Sequence, residues 1–138
     1  MNRKVLIIIV VAIAVFAAFK FRPRDIRADI SRVEEAVLLV LQSRGVTGKD
    51  FLFREENEWR KSGVKGKTLN YVVKLKRAAK TSELTEEIRE KLKHVKGFDL
   101  AEVYYRSETK GPGGTAYFEV AYKGNAILAL TLENALPG

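Results

Sequence analysis

An uninterrupted apolar run near the N-terminus constrains the architecture of this chain more than any other feature. Residues 5–19 carry no charged or polar side chain, and Lys4 and Lys20 flank them. A buried strand is about 4–8 residues long, so the run is too long to be one. The run falls short of the roughly 20 residues of a membrane-spanning helix, but flanking lysines can lengthen the span by snorkelling. The sequence therefore predicts a transmembrane anchor over residues 5–21, after a short tail over residues 1–4.

The fate and the orientation of this segment stay open at the level of the sequence. A cleaved signal peptide is the alternative, because Arg3 and Lys4 precede the run and Ala12–Ala14 imitates a cleavage site. Lysine and arginine are more numerous after the run than before it, which by the positive-inside rule keeps the large domain in the cytoplasm. A short tail before a signal-like run is instead the usual layout of an exported domain. We expect a single-pass signal-anchor protein of the inner (cytoplasmic) membrane, held by lipid, with an exported C-terminal domain.

The rest of the chain has the size of one small domain, residues 26–138, after a linker over residues 22–25. Its first element is a helix, because apolar residues recur at intervals of three and four and Gly45 provides a C-terminal stop. The apolar positions are Ile26, Ile30, Val33, Val37, Val40 and Leu41. Alternating apolar and polar residues then predict strands over residues 50–56 and 68–77, joined by a loop.

A second helix–strand–strand unit follows the first. A helix is predicted over residues 82–96, with glutamates near its start and lysines near its end. Strands are predicted over residues 98–107 and 115–123, and an extra strand over residues 126–133. Two such units side by side predict an α+β fold: a ferredoxin-like αββαββ sandwich with an antiparallel sheet, two helices on one face and an extra C-terminal strand.

With this order of elements, the chain resembles two families. The first comprises the inner-membrane platform proteins of type II secretion and type IV pilus machines, which carry a periplasmic ferredoxin-like domain behind one membrane helix. The second is the non-catalytic N-terminal region of divergent polysaccharide deacetylases. The segments similar to that region are LQSRGV, EWRKSG, YVVKLKR, SELTEEIREKL and GGTAYFEVAYKGNAILALTLE. The resemblance implies a non-catalytic module that stands alone, as a scaffold or as an accessory to a polysaccharide-modifying enzyme.

No set of side chains forms a convincing catalytic, metal or cofactor site, so we expect a protein that is not an enzyme. His94 is the only histidine and cysteine is absent, which excludes two-histidine metal sites and thiolate chemistry. The neighbouring glutamates Glu55, Glu56 and Glu58 are expected to be solvated charge. Trp59 is expected to cover one end of the core rather than to stack on a ligand.

The formal net charge of +8 is concentrated in residues 60–80, which carry eight basic residues and no acidic one. These residues are Arg60, Lys61, Lys65, Lys67, Lys74, Lys76, Arg77 and Lys80. One interpretation is a solvated strand edge that lysines protect against aggregation. The other is a surface for polyanions such as lipid headgroups or acidic polymers. Nucleic acid is the least expected of these ligands, because no array of aromatic residues accompanies the charge.

The extra C-terminal strand suggests self-association. Leu128, Leu130 and Leu132 lie on one face of this strand, and an apolar strand beyond a four-stranded repeat needs a partner, either within the sheet or from another copy. We therefore expect a homodimer through the sheet edge or its open face. The expected function is a non-catalytic scaffold or assembly subunit that binds other envelope proteins. The alternatives are a membrane-tethered polyanion-binding module and an accessory to a polysaccharide-modifying enzyme.

Overall fold

A computed structural model describes residues 3–4, 23–108 and 113–138 of the chain. Over residues 23–108 and 113–138, two helices and six strands form an α+β arrangement. The elements in chain order are β1 (Arg24–Asp25), α1 (Arg27–Ser43), a 3₁₀ turn (Gly48–Asp50), β2 (Phe51–Lys61), β3 (Val64–Lys80), α2 (Thr81–Leu92), β4 (Phe98–Ser107), β5 (Gly114–Tyr122) and β6 (Asn125–Leu136). The order of helices and strands therefore agrees with the one predicted from sequence.

Helix α1 ends as the sequence predicts. The amide of Val46 donates to the carbonyl of Leu41, and the amide of Gly45 donates to the carbonyl of Gln42. Gly45 has φ +84°, the left-handed conformation in which a glycine has no Cβ penalty. This pair of bonds is a Schellman motif, and it satisfies carbonyls that the helix itself leaves free.

The hairpin of β2 and β3 is much longer than the sequence predicted. Residues 57–67, predicted to be a loop, mostly continue the two strands, which pair from Lys61 with Val64 to Phe51 with Val73. The turn is Ser62–Gly63, and both residues have positive φ. A two-residue turn of this kind matches the twist of the flanking strands and lets a hairpin extend far from the core.

The strands form one mixed sheet in the order β2, β3, β6, β5, β4. Strand β6 pairs in parallel with β3 and antiparallel with β5, while β1 pairs in parallel with the start of β3. The C-terminal strand therefore lies in the middle of the sheet. This order contradicts the predicted ferredoxin-like αββαββ sandwich, in which the strands of the two repeats would pair directly and the sheet would be antiparallel.

The apolar character of β6 explains its central position. Leu128, Leu130 and Leu132 are 2%, 1% and 0% exposed, and they face the helices together with the buried Phe118 of β5. Burying one leucine side chain contributes about 1.5–3 kcal/mol relative to leaving it in water. Three such residues favour a position with a neighbour on each side over a place at the edge. The strand therefore has its partners within the sheet, and the prediction that Leu128, Leu130 and Leu132 form a dimer surface was wrong.

Both helices cover the same face of the sheet. The apolar stripe of α1 packs with Leu84, Ile88 and Leu92 of α2 against the inward side chains of β3, β5 and β6. On β3 the inward residues are Leu69, Tyr71, Val73 and Leu75, the alternating set predicted from sequence. We call this side of the sheet the covered face and the other side the open face.

The predicted membrane anchor is corrected here. Residues 5–21, on which that prediction rested, lie outside the described residues. Across residues 3–4, 23–108 and 113–138, no helix combines the length and the apolar character needed to cross a membrane. The structure therefore gives no support to the signal anchor, the inner-membrane location or the exported topology.

Candidate functional site: the open face of the sheet

A continuous row of side chains crosses the open face from one outer strand to the other. The register pairs Phe53 with Val72, Val72 with Thr131, Thr131 with Tyr117, and Tyr117 with Tyr104. Residues paired directly across neighbouring strands point to the same side of a sheet. We call these five residues the central row. It spans five strands, or about 20 Å at the usual strand spacing of about 4.8 Å.

The central row ends in exposed aromatic side chains. Phe53 is 48% exposed at one end and Tyr104 is 49% exposed at the other. Tyr104 stacks on Tyr117 with ring centroids 4.9 Å apart, an offset geometry that aromatic pairs favour. The hydroxyl of Tyr117 donates to Glu119 at 2.9 Å. Partial burial, together with this bond to a carboxylate, raises the pKa of Tyr117 well above its usual range.

Charged side chains flank the central row with a different sign balance on each side. On one side, at the next open-face position of each strand, lie Glu55, Asn70, Ala129, Glu119 and Glu102. On the other side lie Lys74, Glu133, Thr115 and Arg106. We call the first set the acidic flank and the second the mixed flank. The two flanks together therefore carry four carboxylates and two cations on either side of the central row.

Trp59 closes the end of the open face near the β2–β3 turn. Its ring lies over Gly66, where an added Cβ would come within 2.8 Å of two ring atoms. Its indole N–H donates to Thr68 Oγ1 at 2.8 Å, and the Thr68 hydroxyl donates to the carbonyl of Ala126 at 2.7 Å. Trp59 is partly buried and packs against the core, as the sequence predicted. These contacts hold β2, β3 and β6 together.

A second polar cluster joins α1 to β2 at the margin of the covered face. Arg27 forms ion pairs with Asp25 at 2.9 Å and with Glu58 at 3.0 Å. Lys67 contacts Glu56 at 3.1 Å and donates to Ser31 Oγ at 3.0 Å. These six residues line a surface cavity of about 500 Å³. Because opposite charges alternate along it, we call this cluster the charge ladder.

Next to the charge ladder lies a buried tyrosine, Tyr71, which bonds to charged groups of α1 and β2. The hydroxyl of Tyr71 donates to the carboxylate of Glu34 and accepts a hydrogen bond from Arg54 Nε at 3.1 Å. Burial and the bond to Glu34 raise the pKa of Tyr71 to about 12. At the other end, the hydrogen bonds from Arg27 lower the pKa of Asp25 to about 2. Each charged group described here has a partner within the ladder, which indicates a structural role in fixing the β2–β3 hairpin to α1.

The structure divides the eight basic residues of the predicted polyanion surface. Arg60, Lys61 and Lys65 lie near the β2–β3 turn, whereas Lys74, Lys76, Arg77 and Lys80 lie towards the far end of β3. Lys65 and Lys76 are eleven residues apart on one strand, a separation of roughly 35 Å at about 3.3 Å per residue. Between the two groups, Lys67 belongs to the charge ladder and is 12% exposed. The eight residues therefore do not form one patch.

The residues considered for catalysis are also separated. His94 is exposed in the turn after α2. Glu55 lies on the open face, whereas Glu56 and Glu58 belong to the charge ladder on the opposite side of β2. Among the described residues, no group of three histidine, cysteine or acidic side chains is placed to hold a metal ion.

Sequence analysis did not identify the central row. Tyr104, Tyr117 and Val72 each fit the alternation of their own strand, so a local pattern can assign each of them to a face. The row depends on the register between β3, β6 and β5, which no local pattern carries. No protein-family model matches this sequence, and no curated protein matches it either.

Proposed function

We propose that this chain is a non-catalytic protein-binding module, a scaffold or assembly subunit, that binds its partner through the open face of the sheet. The observation that carries this proposal is the central row, which ends in the exposed Phe53 and the stacked Tyr104 and Tyr117. Both helices pack on the covered face, and across residues 23–108 and 113–138 no other element covers the open one.

The composition of the open face is that of a protein interface. Tyrosine and phenylalanine are enriched at the centre of interfaces, where they bring a large contact area with little conformational freedom to lose. Charged residues belong at the rim, where they remain solvated and set partner choice. On the open face the aromatic side chains lie towards the two ends of the central row, with Val72 and Thr131 between them. Carboxylates and cations lie on either side of the row.

The charge of the open face argues against a polyanion as its ligand. Binding to polyanions draws most of its free energy from lysine and arginine contacts. On the two flanks of the central row the carboxylates Glu55, Glu102, Glu119 and Glu133 outnumber Lys74 and Arg106. The polyanion-binding alternative is not favoured elsewhere either, because the basic residues are divided between the two ends of β3. The resemblance to platform proteins and to the deacetylase region stays a hypothesis.

Site-specific photo-crosslinking tests the proposal. A photoreactive phenylalanine analogue replaces Tyr104 on the open face of the full chain, expressed in the cells that make the protein. The matched control carries the same analogue at Leu39, which is 55% exposed on the outer surface of α1. We expect a discrete protein adduct from position 104 and none from position 39.

The identity of the adduct is read by mass spectrometry, and it is either another protein or a second copy of this chain. Both outcomes support a binding role for the open face. Absence of an adduct at position 104, or equal adducts at both positions, overturns the proposal.

A further inference from the structure

We infer that the partner at the open face is a second copy of this chain, related by a two-fold axis that runs along the central row. This inference rests on the proposed function and adds to it the identity and the orientation of the partner. Two-fold pairing is the commonest form of self-association and brings the same surface of each copy together. Two directions of such an axis keep the strands of the two copies aligned, as in most face-to-face sheet packings, and the open face is self-complementary in one of them.

In the first orientation the axis runs along the central row, across the strands. Each residue of the row then faces its own counterpart, with Thr131 at the centre of the contact. The acidic flank of one copy faces the mixed flank of the other, so that Glu102 meets Arg106 of the second copy. On β3 the amide oxygen of Asn70 meets Lys74, whose ammonium group can donate a hydrogen bond to it.

In the second orientation the axis runs along the strands. The central row still faces itself, but in reverse order, so that β2 of one copy lies over β4 of the other. Each flank then faces itself. Glu55 of one copy would meet Glu102 of the other, and Glu133 would meet its own counterpart. Like charges that face each other across an interface are unfavourable and suppress such arrangements. Charge complementarity therefore selects the first orientation.

The covalent probe must match the spacing of two packed sheets. Sheets packed face to face lie about 10 Å apart with their strands nearly aligned, which is too far for a disulfide between facing residues. A short bis-maleimide can bridge this gap, and the chain has no native cysteine that would compete. The footprint of five short strand segments belongs to the small end of the size range of interfaces, so we expect a concentration-dependent dimer.

Cross-linking of single-cysteine variants of the full chain tests the inference. We expect Thr131→Cys to give a covalent dimer with a short bis-maleimide, because this residue lies on the proposed axis. Leu39→Cys, on the outer surface of α1, is the control and should give only background. Absence of a Thr131→Cys dimer above that background overturns the inference.

A mixture of two variants tests the orientation. Glu102→Cys and Arg106→Cys should cross-link to each other, because these positions face one another at about 10 Å. Each variant alone should cross-link poorly, since the two copies of position 102 are about 16 Å apart at these spacings. Preferential cross-linking of Glu102→Cys to Glu55→Cys would instead indicate the second orientation and overturn the inference.

Charge reversal gives an independent readout without a covalent probe. Glu102→Arg should raise the dissociation constant of the dimer roughly ten-fold in sedimentation experiments, because the symmetry changes two ion pairs at once. The double variant Glu102→Arg with Arg106→Glu should restore the original value. Circular dichroism verifies that each variant stays folded, and failure of the double variant to restore association counts against the pairing.

The two proposals fail in different ways. If position 104 photo-crosslinks to another protein while Thr131→Cys gives no dimer, the open face is a binding surface and the second copy is not its partner. If neither experiment gives an adduct, both proposals fall.

Discussion

The two faces of the sheet use the same strands for different purposes, and neighbouring residues of β6 show the contrast most directly. Leu130 points to the covered face and is 1% exposed, while Thr131 points to the open face and is half-buried. The covered face holds the fold together by removing apolar surface from water. The open face carries charged residues and, at Phe53 and Tyr104, aromatic side chains that are about half exposed. If the open face binds a partner as proposed, stability and binding are separated by the alternation of side chains along one strand.

Substitutions at these two neighbours are the strongest test of the contrast. Leu130→Ala should lower the free energy of unfolding by about 2–5 kcal/mol, because it leaves a cavity at the centre of the core. Thr131→Ala should lower it by less than about 1 kcal/mol, since its side chain faces away from the helices. Urea denaturation measures both values. Equal losses would mean that the open face is covered by part of the protein itself.

A substitution at Gly66 tests whether every position of the open face can be changed without loss of stability. A Cβ at this position would lie 2.8 Å from two atoms of the Trp59 ring, so we expect Gly66→Ala to lower the free energy of unfolding by about 1–3 kcal/mol. The control is Gly48→Ala, where an added Cβ meets no atom within 4 Å. Urea denaturation followed by Trp59 fluorescence reports both stability and any displacement of the ring. A neutral Gly66→Ala would show that the ring moves without cost.

Trp59 and Tyr104 lie on the same face but differ in their expected roles. Trp59 stabilises the fold, and Tyr104 is proposed to contact a partner. Trp59→Phe removes the hydrogen bond to Thr68 and should lower the free energy of unfolding by about 0.5–1.5 kcal/mol. Tyr104→Phe changes an exposed ring on the same face, and we expect no measurable loss. Thermal unfolding compares the two variants. A larger loss for Tyr104→Phe would contradict the assignment of Trp59 to the fold and Tyr104 to binding.

The charge ladder should make the margin of the covered face sensitive to acid. Arg27 lowers the pKa of Asp25 to about 2, and Lys67 lowers the pKa of Glu56. These pKa values are lower in the folded than in the unfolded chain. The two carboxylates therefore stabilise the folded state fully above about pH 4.5, and this stabilisation is lost as the pH falls towards about 2.

A pH series of denaturation curves measures this loss. Arg27→Gln is the matched variant: it should return the pKa of Asp25 towards its ordinary value of 3.8 and make the acid dependence shallower. Titration of the Asp25 carboxyl by nuclear magnetic resonance gives the pKa directly. An unchanged pKa in Arg27→Gln would show that another group controls this carboxylate.

The local parts of the fold could be predicted from sequence, and the long-range parts could not. The helix stripes, the stop at Gly45 and the inward residues of β3 follow from periodicity and turn chemistry, which act over a few residues. The place of β6 depends on a pairing between residues about sixty positions apart, which no local signal encodes. The covered face was predicted because its residues are apolar, whereas the central row required the register of β3 and β5 on either side of β6.

The basic residues illustrate the same limit for the site. Their succession in residues 60–80 suggested one surface, but that interpretation treated nearness along the chain as nearness in space. The two ends of a long extended strand lie far apart, and successive side chains along it point to opposite faces of the sheet. The carboxylates of β2 then lie beside Lys67 and neutralise the middle of the stretch. Strand length and strand pairing, rather than composition, determine where this charge is presented.

The central position of β6 has a consequence for how the protein is made. A ribosome releases α1 and the β2–β3 hairpin first, then α2 with the β4–β5 hairpin, and the edge of β3 that pairs with β6 stays open throughout. The two hairpins can join only after residues up to Leu136 have emerged. Until then the nascent chain exposes an apolar β3 with an unpaired edge, the kind of intermediate that aggregates or recruits chaperones. We therefore expect a chain that stops before Asn125 to yield two unjoined halves and to be removed by proteolysis rather than to accumulate as a smaller domain.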